Sequence, residues 1–110
     1  MVSDEVHEAR GQAAAIAAAV LAGRIGAVLG AIDLNRLRPL LDVPDDDPHF
    51  ETFMVIDSEC DALPVGAVRQ HWSAEALALK KSEVARAEQW AMETGKEAFA
   101  NVVARFAPRA

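Results

Sequence analysis

The side chains best able to do chemistry in this 110-residue chain crowd into its middle third. Asp57, Glu59 and Asp61 alternate as the first three oxygen ligands of a calcium loop do, because a hard cation is held by carboxylates converging from fixed intervals. The pattern then stops. The glycine that such a loop needs at its sixth position is Ala62 here, and the bidentate acid at its twelfth is Val68. His49, Cys60 and His71 are the residue types that take transition metals, yet their spacing fits no zinc pattern, and neither CxxC nor HxxxH is present. Cys60 with His71 offers a thiolate pair in principle. Nucleophilic catalysis also needs the base within hydrogen-bond reach and donors for an oxyanion, and the sequence signals neither. Cys60 therefore reads as a small, inert core residue, His7 as a solvent-facing residue of the first helix, and His71, beside Trp72, as a packed or capping histidine. No GxSxG, glycine-rich phosphate loop or dinucleotide fingerprint occurs. No catalytic residue, metal or cofactor is expected.

Charge is the feature with the strongest position dependence. Pro39 to Val68 holds no lysine or arginine but contains Asp42, Asp45, Asp46, Asp47, Glu51, Asp57, Glu59 and Asp61. The other nine acids are outnumbered by eleven bases, so this segment carries the whole excess behind the net charge of −6. Such a patch attracts a basic protein and orients it, and these eight acids are the candidate partner-binding residues. The plainer reading is a solvated, solubilising loop. Direct binding to nucleic acid is disfavoured, because phosphate recognition needs a positive stripe.

The elements that would position these acids are helices. Ser3 followed by Asp4 and Glu5 marks an N-cap with acids at the positive end of the helix dipole. Val6, Ala9, Ala13, Ile16 and Val20 then recur at helical spacing up to Gly23. A second helix is expected from Arg24 to Arg38, with Ile25, Val28, Leu29 and Ile32 on one face, glycines at 26 and 30 allowing a close neighbour, and Pro39 as its stop. Leu40 to Pro48 reads as a loop. Asp47 and Pro48 then look like N-cap and first helical position, with Phe50, Phe53, Ile56 and Cys60 on one face, although Thr52 to Ile56 also resembles a short strand. Helix is preferred, because a strand needs a partner and no second one is evident.

After a break at Leu63 to Gly66, Ser73 caps the longest helix. Its two heptad stripes, Leu77, Val84 and Ala91, then Met92, Phe99 and Phe106, are out of register by one position, which predicts a bend near Thr94 and Gly95 or two successive helices. The fold class is thus mainly α: a compact single-domain bundle of four to five helices with an acidic central loop or short extended segment.

Ala13 to Ile32 carries one charge, Arg24, and would be long enough to span a bilayer. A central arginine, much alanine and several glycines argue for two soluble helices instead. One cysteine cannot close an intramolecular disulfide, and acids open the chain where a secretory signal has bases, so a cytoplasmic protein is expected.

The stretch DSECDALPVG at 57–66, followed by AVRQHW, resembles a family of small bacterial proteins of no settled activity. That resemblance implies a bacterial cytoplasmic protein and nothing catalytic.

Together these features favour a non-catalytic protein-binding module, in its most concrete form an acidic immunity or antitoxin protein that neutralises a basic toxin. The alternatives are a homodimeric structural or regulatory helical module, since alanine-rich helices bury little volume without a second chain, and a small enzyme with scattered acid, histidine and cysteine residues.

Overall fold

A computed structural model describes residues 3–107. Helix α1 (Asp4–Leu21) starts where Ser3 Oγ accepts the Val6 amide, with Asp4 and Glu5 in its first turn. It ends in a Schellman turn: Gly23, at φ 78°, lets the Arg24 amide return to the Ala19 carbonyl. That turn consumes the residues expected to open the second helix, so α2 runs Ala27–Leu37, and Pro39 lies in a single 3-10 turn at Arg38–Leu40. Helix α3 (Pro48–Glu59) settles the ambiguous segment as helix. Asp47 Oδ1 accepts the His49 and Phe50 amides, and Pro48 occupies a first-turn position whose N–H would have no intrahelical partner.

A second 3-10 stretch (Gly66–His71) leads to α4 (Ala74–Phe106), capped by Ser73. Helix α4 is continuous, which corrects the expected division into two successive helices at Thr94 and Gly95. At ~1.5 Å per residue its 33 residues match the 50 Å long axis of a molecule only 28 by 25 Å across. The register shift needs no bend because the two halves of the helix meet different neighbours. Ala91, Gly95, Ala98, Phe99 and Val102 are buried against the other helices, whereas no residue from 74 to 90 is.

The architecture is a mainly α bundle, with no strand among the described residues. Its core centres on α3, where Phe50 and Phe53 meet edge-on at 5.2 Å and Phe53 lies 5.0 Å from Phe99. Phe50, Phe53, Ile56 and Cys60 are all buried, the face anticipated from their spacing. Helix α1 contributes mostly alanines (Ala9, Ala13, Ala17), so its backbone approaches α4 closely, and Val20 packs where a side chain on Gly30 would have to stand.

Candidate functional site

The acidic segment is strapped to the bundle by arginines from other elements, since it has none of its own. From α1, Arg10 donates through Nε to the Leu41 carbonyl at 2.9 Å and through Nη2 to that of Asp42 at 3.3 Å. Arg38 donates to the Asp45 carbonyl and pairs with Glu51 at 3.0 Å. Near the end of α4, Arg105 reaches Asp47 at 2.5 Å, lying over the rings of Phe50 and Phe106 at 5.8 and 5.0 Å. With its carbonyl held by Arg10, Asp42 adopts a left-handed φ of 53°.

These straps sort the eight candidate acids. Asp47 is 7% exposed. Burial pushes its carboxyl up, but the Arg105 hydrogen bond, the Phe50 amide, the Arg105 charge and the His49 amide together hold it below the ordinary carboxylate value. It is a structural cap and is not presented to a partner. Glu51 is committed to Arg38. Asp42, Asp45, Asp46, Asp57, Glu59 and Asp61 make no ion pair among the described residues. All are exposed except Asp57, which is half-buried and accepts a 2.8 Å hydrogen bond from Asn35. They fall into two groups, one before α3 and one at its end, separated by the helix's 12 residues or ~18 Å. The second group sits at the negative end of the helix dipole, where carboxylates weaken the helix.

Cys60, at that end, is 3% exposed. Burial pushes its thiol up, as do the carboxylates of Glu88, Glu59, Asp57 and Asp61. A nucleophilic cysteine needs the opposite environment, and no hydrogen bond joins Cys60 to His71, which is exposed on the second 3-10 stretch. Among the described residues no group of three His, Cys, Asp or Glu side chains could hold a metal ion, and no helix is long and apolar enough to cross a membrane.

Three surface cavities gather around residues 60–69. One of about 330 Å³ lies between the end of α3 and α4, lined by Glu59, Cys60, Leu63, Arg86 and Trp90. Another of about 310 Å³ lies toward α2, where Arg36, Asp57, Asp61 and Val68 meet. The third, about 430 Å³, lies between Pro64 and the first half of α4.

Sequence reasoning missed Glu88. Its carboxylate faces the Val28 and Ala27 amides at the first turn of α2, and a Cβ on Gly26 would fall 2.5 Å from its Oε2. Gly26 is the N-cap of α2 and has no side chain to serve that role, so α4 supplies the cap from outside. Burial pushes the Glu88 carboxyl up, against the lowering effect of those amides. A glycine at the head of a helix is the one sequence signal that a remote cap is needed.

Compared with protein-family models, with curated proteins and with solved structures, the chain matches none.

Proposed function

We propose that this chain is a non-catalytic protein-binding module whose acidic central segment docks a basic protein, in the manner of an immunity or antitoxin protein covering the cationic active site of a toxin. The observation that carries this reading is the set of six carboxylates without ion pairs, Asp42, Asp45, Asp46, Asp57, Glu59 and Asp61. The bundle brings arginines to this segment from three directions, yet they are spent on backbone carbonyls, on Asp47 and on Glu51. Apart from Asp57, which accepts from Asn35, these exposed like charges repel one another and contribute little to the fold, but they speed encounter with an oppositely charged surface. Cavities beside Asp57, Glu59 and Asp61, lined in part by Leu63, Val68 and Trp90, offer apolar purchase next to that charge.

The test is affinity capture from the native host with the wild type and with a variant carrying Asp45→Asn, Asp46→Asn, Glu59→Gln and Asp61→Asn, followed by association kinetics with the captured protein. A basic partner whose association slows with the variant and with added salt supports the reading. A partner whose association rate is indifferent to both removes it.

A homodimeric module is the second reading, favoured by the absence of buried residues from 74 to 90 and by Leu79, 80% exposed on that stretch. A monomeric mass by light scattering across the micromolar range excludes it.

A further inference from the structure

Leu77 and Val84 form an apolar stripe at heptad spacing, yet the core does not take them up: both are half-buried and face the third cavity. The opposite wall is Pro64, itself buried, with Arg69 of the second 3-10 stretch beside it; Ala78 and Lys81 complete the α4 side. At about 430 Å³ the space lies within the range of small-ligand sites, ~300–1,000 Å³.

The charge of this lining runs against that of the chain. It holds two cations and no acid, although acids outnumber bases 17 to 11 overall and the 30 residues before Arg69 contain no base. Neither Arg69 nor Lys81 makes an ion pair or side-chain hydrogen bond among the described residues. The adjacent Lys80 takes the nearby Glu83, at 3.0 Å. An apolar wall left open forfeits dispersion contacts, and two unpaired cations at its edge favour a negative group on whatever fills it.

We propose that this cavity binds a small amphipathic carboxylic acid, with its apolar tail against Pro64, Leu77, Ala78 and Val84 and its carboxylate between Arg69 and Lys81. Arginine's planar fork suits a carboxylate in bidentate geometry, while lysine adds a point charge. The site is independent of the acidic surface and does not rest on the partner reading above.

The test is a titration of the full chain with sodium octanoate below its micellar range, followed by amide NMR shifts. Saturable shifts confined to residues 64–84 are expected, with affinity at least tenfold weaker for acetate, which lacks the tail, and for 1-octanol, which lacks the charge. The exposed pair Arg69→Gln with Lys81→Gln should weaken octanoate tenfold or more. Ala78→Phe, which fills the cavity and keeps both cations, should abolish binding. Equal affinity in the charge variant, shifts scattered over the surface, or binding to anionic phosphatidylglycerol vesicles without binding to octanoate overturns the proposal. So does a dimer that buries Leu77 and Val84 and excludes octanoate, which assigns this face to a second copy.

Discussion

The Asp47 carboxylate and the Arg105 guanidinium meet at 2.5 Å across 58 residues of chain, joining the start of α3 to the end of α4. The same carboxylate caps α3, so one side chain ends the connection from α2 and starts the helix that carries Phe50 and Phe53 into the core. Asp47→Ala removes the cap and leaves Arg105 without its partner, and should cost about 2–4 kcal/mol in urea denaturation. Asp45→Asn with Asp46→Asn, which touches exposed carboxylates of the same run, should change stability by less than ~0.5 kcal/mol. Equal effects from the two would mean that neither the cap nor the ion pair contributes to stability.

Acid should act through the same residue. The folded chain holds the Asp47 carboxyl below its ordinary value, so the unfolded chain binds that proton more readily. The resulting stability is complete above the ordinary carboxylate range, ~3.9, and is lost as pH falls through the depressed value. Denaturation midpoints measured from pH 6 downward should fall less steeply for Asp47→Asn than for the wild type.

Glu88 should behave in the opposite sense. Its carboxyl is raised by burial, so the protonated form favours the fold. That contribution is complete below the ordinary glutamate value and is lost as pH rises through the elevated one. Glu88→Gln keeps a hydrogen-bond acceptor for the α2 amides without the charge, and should be at least as stable as the wild type at neutral pH, with its advantage shrinking toward acid. Gly26→Ala, which drives a methyl into that carboxylate, should cost about 1 kcal/mol.

Cys60 should be slow to react. A buried thiol pushed up by four carboxylates should label with a disulfide reagent orders of magnitude more slowly than in denaturant. Labelling at the rate of a free peptide thiol would place it on the surface.

Much of the fold was legible because its signals are local. Ser3, Asp47 and Ser73 each cap the helix that follows, and the spacing of Phe50, Phe53, Ile56 and Cys60 gives the face that is buried. What escaped depends on distant parts of the chain. Charge counting grouped Asp47 with Asp45 and Asp46, since nothing nearby in sequence announces Arg105, and the fold turned that one inward. The cap of α2 lies on α4. The stripe of Leu77 and Val84 looked like core because periodicity reports an apolar face and not what covers it.

The first half of α4 has a consequence for how the molecule opens. Its residues ahead of Ala87 hold their helical hydrogen bonds but bury no side chain completely, so they can separate from the rest without exposing Phe50, Phe53 or Phe99 and without uncapping α2. Cooperativity is therefore divided along a single continuous helix. Amides between Ala91 and Val102 should exchange with solvent only on global unfolding, while those before Ala87 should open in a smaller, sub-global event. The cavity between Pro64 and Val84 lies on that low-stability side, so whatever fills it converts part of its binding free energy into order along about half of the longest helix.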